Sequence, residues 1–549
     1  MYAKCILPSM SSRELVNSTT TLRPTKAYPG RILALVALAV CATVIGPPAT
    51  ASAAADPSIV TTETGTVQGV VAADRRTFSG IPYAAPPIGA LRWKPPQPAP
   101  AWAGIRDAGE PGAPCAQPNV PSSSEDCLYL NVTTPPVSKG TRLPVLVWIH
   151  GGSLTTGAGS YYPATRLLAA GPILLVTVNY RLGALGFLAH PALDDGAAKS
   201  GAYGFADQTA ALRWVRRNIA AFGGDPGNVT LAGESAGGGS TCAQLVSPAA
   251  AGLFQRAIIQ SAPCVNATAL PWWRPLAQSE SLGLRAAATF GCADAATAAA
   301  CLRKVPVATL LAAATPSSQI AFPPGIGGDV LPEDPGVAVS SGRFNRVPVI
   351  HGGTRDEHRL FVALQELSSG RPMSADDYTT MLRTTFGTDS GAILARYPLS
   401  RFGSPSLAAA TVLTDAGWSC PALRTEQAFA KWVPTFAYEF ADANAPVFAG
   451  TESVSFPQAA YHAAELQYLF AGPVFPDVLS PQQTRLSQQM VRYWVRFTTT
   501  GTLAGAGSPA WPRFSPGSTQ VLSLAPGAGG IKGADLSAAH NCAFWARYP

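Results

Sequence analysis

Five short apolar runs recur along the chain without polar alternation: Val145–Ile149, Ile173–Val178, Val229–Ala232, Ala257–Ile259 and Val347–Ile350. Strands covered on both faces carry this signature, because neither side of them meets water. Within Phe205–Phe222, residues Leu212, Val215, Ile219 and Phe222 fall at spacings of three and four. That is the period of a helix with one buried stripe. Leu486, Met490, Tyr493 and Phe497 repeat the signature in Thr484–Thr500. Strands alternating with helices predict an α/β fold with a mostly parallel central sheet flanked by helices. The Ala-rich stretch 286–314, the Pro-bearing stretch 316–335 and residues 371–406 read as insertions around that sheet. No linker is long or polar enough to divide residues 54–549, which are expected to form a single domain.

The first 53 residues carry a different pattern. Ile32–Ile45 is an apolar run of 14 residues behind Lys26 and Arg31, followed by Pro47-Pro48 and the small-residue steps Ala51-Ser52-Ala53 and Ala53-Ala54-Ala55. This is the layout of a signal peptide, with cleavage expected near 53–55 and a secreted product. A bilayer span needs about 20 apolar residues, so an uncleaved anchor is the weaker reading. Lipid modification at Cys41 is weaker still, since bulky Val40 precedes it. An internal start at Met10 is equally compatible with the leader.

Composition narrows the choice of partners. The chain has 549 residues, 47% hydrophobic and 13% charged, with a net charge of +7. The leader alone supplies +4 of that, and no run of Lys and Arg exceeds two residues. Nucleic-acid binding demands a dense basic stripe and is excluded. No Cys-x-x-Cys pair, His-x-x-x-His helix or Gly-rich nucleotide fingerprint is present, so neither a metal nor a cofactor is expected. Export permits disulfides, and eight cysteines remain beyond Cys5 and Cys41.

The candidate chemistry begins where the Val229–Ala232 run ends. Gly233-Glu-Ser-Ala-Gly237 is a Gly-x-Ser-x-Gly motif placed between a strand and the helix-compatible stretch Gly238–Ser247. A strand that turns abruptly into a helix exposes the serine hydroxyl, and side chains two positions away on either side collide unless they are glycines. His150-Gly-Gly-Ser153 follows another strand. Its glycines can present backbone N–H groups to the negative charge that develops during acyl transfer.

Longer blocks carry a resemblance. Phe78-Ser-Gly-Ile-Pro-Tyr-Ala84, Pro86-Pro-Ile-Gly-Ala-Leu-Arg-Trp93, Ser124-Glu-Asp-Cys-Leu-Tyr-Leu-Asn-Val132, Asn179-Tyr-Arg-Leu-Gly183, Asp207-Gln208 and Phe222-Gly-Gly-Asp-Pro226 join the serine motif in order. From about Thr64 to Phe544 the chain resembles the type-B carboxylesterases, which include cholinesterases and bacterial p-nitrobenzyl esterases. The resemblance implies an α/β-hydrolase fold, with large insertions forming the substrate gorge. It also implies hydrolysis of small-molecule carboxylic esters through an acyl-enzyme on Ser235.

The base comes from six histidines. In this fold the acid and then the histidine follow the serine along the chain, which removes His150 and His190. His351 lies in a predicted strand, and His358 abuts the candidate carboxylates Asp356 and Glu357. His462 and His540 remain. Ala460-Tyr-His-Ala-Ala-Glu-Leu466 resembles the family's block around its catalytic histidine and selects His462. Residue chemistry alone leaves Asp356 and Glu357 equivalent as the acid. The resemblance of Gly352-Gly-Thr-Arg-Asp-Glu-His358 to Gly-x-x-x-Asp-Glu-Gly selects Glu357, with His358 departing from the usual Gly.

By the same resemblance, the amides of Gly152, Ser153 and Ala236 are the oxyanion donors, and Gly151 supplies turn freedom. Leu154 and Thr155 stand where an aromatic is usual and reshape the acyl pocket. Glu234, Ser261 and Glu465 are expected to organise the histidine, and Arg92 to pair with Glu125. Disulfides are implied for Cys115–Cys127, Cys292–Cys301 and Cys420–Cys542, with Cys242 and Cys264 read as free buried thiols. Only 11 residues separate Cys115 from Cys127, and none is a Trp, so choline selectivity by cation–π contact is not expected. A lipase acting on long acyl chains, and a non-catalytic binding protein of the same fold, are the competing readings.

Overall fold

A computed structural model describes residues 56–548 apart from 139, 197, 268, 314–321 and 506. The expected leader and its cleavage site lie outside these residues, as does part of the Pro-bearing stretch 316–335. Among the described residues, eleven strands form one sheet. They are β1 (Val70–Val71), β2 (Arg76–Pro82), β3 (Tyr129–Thr134), β4 (Leu143–Ile149), β5 (Leu174–Val178), β6 (Gly224–Glu234), β7 (Arg256–Gln260), β8 (Val349–Thr354), β9 (Thr435–Phe440), β10 (Gln520–Leu524) and β11 (Ile531–Asp535).

Their order is β1-β2-β3-β5-β4-β6-β7-β8-β9-β10-β11. The seven strands from β5 to β10 run parallel, and antiparallel pairs close both edges. The mostly parallel sheet is the one that the apolar runs predict, and the α/β-hydrolase arrangement is the one that the family resemblance implies.

Alternation along β4 explains why its sequence is apolar throughout. Val145, Val147 and Ile149 join one core, packed with Phe205, Leu212 and Val215 of helix α1 (Tyr203–Asn218) and Leu245 of α2 (Ala236–Val246). Leu146 and Trp148 join the core on the opposite face. Ala232 and Ile258 enter that second core as well, so the central strands have no solvent face.

The predicted helix 205–222 tightens after Asn218 into a 3₁₀ turn, Ile219–Phe222, and ends at Gly223, whose φ of +93° only glycine adopts readily. Four further helices frame the site: α3 (Arg359–Ser369), α4 (Pro405–Thr414), α5 (Cys420–Ala430) and the short α6 (Leu466–Leu469). Helix α7 (Pro481–Thr500) begins with a reciprocal Ser480–Gln483 capping box and ends at Gly501, φ +72°. Its Leu486, Met490, Tyr493 and Phe497 are buried in the second core.

Two sequence expectations shift. The run Val347–Ile350 enters the sheet only at Val349 and continues to Thr354, because Pro348 has no N–H for the ladder and contributes its carbonyl to Ala257 N–H instead. Cys242 and Cys264 are not free thiols. They form a fourth disulfide, Cα–Cα 5.5 Å, beside the bridges 115–127, 292–301 and 420–542. The parallel β6–α2–β7 crossover returns the loop after β7 against the middle of α2, a proximity that a separation of 22 residues does not reveal.

Replacing both Cys242 and Cys264 by Ser is expected to reduce stability by about 3 kcal/mol in the chain-entropy model. Thermal unfolding of the double variant, read as a lower midpoint than the parent's, checks this.

Candidate active site

The parallel strands deliver their carboxyl-end loops to one edge of the sheet, and the candidate residues come from those loops. Ser235 is the single residue between β6 and α2, with φ 56° and ψ −124°. A non-glycine residue rarely holds positive φ, and doing so costs on the order of 1–3 kcal/mol that the surroundings must offset. Ser235 N–H donates to Gln260 O at 2.9 Å, and its own carbonyl receives Gly239 N–H at 2.9 Å. A Cβ on Gly237 would lie 2.0 Å from Ile149 O, and one on Gly233 would lie 2.3 Å from Gly237 O. The flanking glycines are therefore steric requirements of the turn.

The loop after β4 lies directly against this elbow. A Cβ on Gly151 would stand 2.9 Å from Glu234 Oε2 and 3.1 Å from Ser235 Cβ. Gly152, Ser153 and Leu154 follow with φ of +103°, +56° and +59°. Their turn is closed by the Gly152 carbonyl, which accepts both Thr155 and Thr156 N–H at 3.0 Å. The amides of Gly152, Ser153 and Ala236 donate to no other group among the described residues.

Glu357 and His462 meet. Glu357 Oε2 is 2.5 Å from His462 Nδ1, while Oε1 accepts Thr354 N–H at 2.8 Å. Asp356 turns the other way, accepting Ala460 N–H and pairing with Arg359 at 2.8 Å. The two carboxylates that residue chemistry could not separate are thus distinguished by direction. His462 Nε2 faces Glu234 Oε1 at 3.4 Å and has no hydrogen-bond partner among the described residues.

Glu465 Oε1 accepts Gln260 Nε2–H at 3.0 Å, and Gln260 Oε1 accepts Trp494 Nε1–H at 2.8 Å. Ser261, φ +49°, packs beside Gly353 and Glu357, but its hydroxyl bonds neither Glu357 nor His462. Arg92 and Glu125 pair through two contacts of 2.6 Å.

Burial raises Glu234 and Glu465 above the usual carboxylate range. Burial also opposes charge on His462, but Glu234, Glu357 and Glu465 outweigh it and push the imidazole up to about 9.

The other histidines have different duties. His150, held down to about 4 by burial, stacks on Tyr180 at 4.4 Å. His190 Nδ1 accepts Ala192 N–H, and His351 lies 3.1 Å from Glu426. His540, the alternative base, sits between Asp415 and Glu439 at 2.7 Å each. His358 Nδ1 accepts Trp418 Nε1–H at 3.1 Å. Sequence reasoning missed Trp418, Phe361, Trp272 and Gln260. Of these, only Gln260 carried a signal, its place at the end of a strand next to Ser261.

The family to which the chain is matched is one of carboxylic ester hydrolases. Residues 56–545 match the model of the carboxylesterase family, and the chain belongs to that family. It is 33% identical to the fumonisin B1 esterase of Sphingopyxis macrogoltabida, over 89% of this chain and 90% of that protein. It is also 33% identical to the para-nitrobenzyl esterase of Bacillus subtilis strain 168, over 85% and 94%. A solved structure of a PNB esterase superposes with a TM-score of 0.72 at 32% identity, covering 87% of this chain and 98% of that one. Among the described residues no helix is long and apolar enough to cross a membrane.

His462 is expected to titrate near 9, observed by NMR of the imidazole, and Glu234→Gln is expected to move that titration to lower pH by removing a facing carboxylate. A raised value means that the charged imidazole favours the folded state. Its contribution to stability is complete below about 6.5 and disappears as the pH rises through about 9.

Proposed function

We infer that the chain is an exported serine carboxylesterase that works through an acyl-enzyme, with Ser235 as nucleophile, His462 as base and Glu357 as the acid that orients it. The observation that carries this reading is the 2.5 Å Glu357–His462 contact, with His462 Nε2 3.4 Å from Glu234, the residue that precedes the strained elbow of Ser235. His462 Nε2 takes the hydroxyl proton as Ser235 Oγ attacks the ester carbon. Glu357 Oε2 accepts the Nδ1–H, fixes the tautomer and stabilises the imidazolium. The amides of Gly152, Ser153 and Ala236 receive the developing oxyanion, each worth about 2.7–4 kcal/mol by analogy with measured donors. The alcohol departs with the proton from Nε2. Water, deprotonated by the same nitrogen, then attacks the acyl carbon, and collapse of the second oxyanion frees the acid as the proton passes from Nε2 to the departing Ser235 Oγ.

Glu234 and Glu465 support the reading as neighbours that favour a charged His462. The substrate class is small-molecule carboxylic esters, in keeping with the activities that name the relatives. Four disulfides in the described chain favour an oxidising compartment. With the apolar leader, they support secretion after removal of residues 1–53 and a single catalytic domain from residue 54 onward.

Ser235→Ala is expected to fold normally and to lose on the order of 10³- to 10⁶-fold in kcat for p-nitrophenyl esters. Undiminished hydrolysis by the purified variant sinks the assignment.

A further inference from the structure

Between α4 and α5 the helix widens into one π-helical turn, Asp415–Ser419, a distortion often found at functional sites. The turn is held at its start by the Asp415 carboxylate, which binds His540 and the Tyr397 hydroxyl at 2.7 Å each. Leu270 braces its middle, lying 2.3 Å from where a Cβ on Gly417 would stand. Trp418 projects from this anchored turn into a cluster of rings. Its centroid is 4.7 Å from that of His462, and it stacks on Phe361 at 5.6 Å and 15°. Trp272 meets it edge-on at 5.8 Å. Phe361 is in turn 5.0 Å from both His358 and His462.

The only polar atom of the indole is spoken for by His358. Trp418 Nε1–H donates to His358 Nδ1 at 3.1 Å, and His358 N–H donates to Thr414 Oγ1 at 3.0 Å, so residue 358 contacts the π turn at Trp418 and the end of α4 just before it. We propose that His358 and Trp418 form a positioning pair, in which His358 fixes the indole so that Trp418 holds the His462 imidazole in place and supports its positive charge. The inference rests on His462 serving as the base.

The chemistry agrees on three counts. A ring centroid within about 6 Å of a cation is attractive, and Trp is the strongest such partner. A glycine at 358, the residue usual in the resembling motif, has no side chain to accept the indole N–H. Burial and the nearby His462 charge also depress His358 to about 3, so its ring stays neutral with Nδ1 free to accept. The titratable groups facing His462 are Glu357 and His358 after β8, Glu234 at the end of β6 and Glu465 before α6. Replacing neutral His358 therefore alters the indole and leaves the local charge unchanged.

The test compares His358→Gly, His358→Asn, Trp418→Phe and the double variant His358→Gly/Trp418→Phe. Steady-state hydrolysis of p-nitrophenyl acetate is followed from pH 5 to 10, with thermal midpoints as the folding control. The glycine and phenylalanine variants are each expected to lose about three- to tenfold in kcat, with KM little changed and the ascending pH limb displaced downward. The double variant is expected to be no worse than either single, because both cut one bond. His358→Asn, whose Oδ1 can accept the indole N–H, is expected to regain rate. If the glycine variant does not fold, Trp418→Phe and His358→Asn carry the comparison.

Singles that fold normally and leave kcat and the pH limb unmoved overturn the proposal, as do additive losses or a change in KM alone. His462→Gln is measured alongside. If it is dead while the other variants match the parent, the positioning pair falls and the base assignment stands. If it retains turnover, both fall.

Discussion

One backbone residue must carry the chain from a buried strand to a buried helix, and that residue is Ser235. Its positive φ is tolerable only because the sheet fixes both sides of the turn: Gln260 O receives its amide, and Ile149 O leaves no room for a side chain at 237. The turn thus depends on the register of β4, β6 and β7. The placing of that serine at the turn is a product of sheet geometry before it is a product of chemistry.

A second constraint is electrostatic. Glu234, Glu357 and Glu465 are all nearly fully buried around one imidazole. Isolated buried carboxylates are costly; Glu357 is hydrogen-bonded by Thr354 N–H and His462, Glu465 by Gln260, and Glu234 faces His462 Nε2 at ion-pair distance, 3.4 Å. The cluster therefore favours a charged histidine, the form that follows proton uptake from a serine. The aromatic rings of Trp418 and Phe361 pack against the same imidazole, with centroids 4.7 and 5.0 Å from its own.

Much of this was legible in the sequence, for a physical reason. Strands buried on both faces must be apolar throughout, so β4, β5 and β7 announce themselves. The turn at Ser235 must have glycines on both sides, so it does too. β9 did not, because Thr435 and Glu439 interrupt its apolar run although both are buried. Choosing between Asp356 and Glu357 required the direction of two adjacent side chains, which only the packing of the Ala460 loop decides. The Cys242–Cys264 bridge and the role of Trp418 depend on contacts between segments distant in sequence or folded back on themselves, and neither leaves a periodic trace. The departure from the family motif at His358 was visible, but its partner was not.

The central claim is that Ser235 is the hydroxyl activated by His462. Peptide mass mapping after treatment with a fluorophosphonate probe addresses it directly. The account predicts one stoichiometric adduct, on the peptide that contains Ser235, formed in step with loss of esterase activity and greatly slowed in His462→Gln. Full inactivation with the adduct on a different residue, or undiminished labelling of Ser235 in His462→Gln, would contradict it.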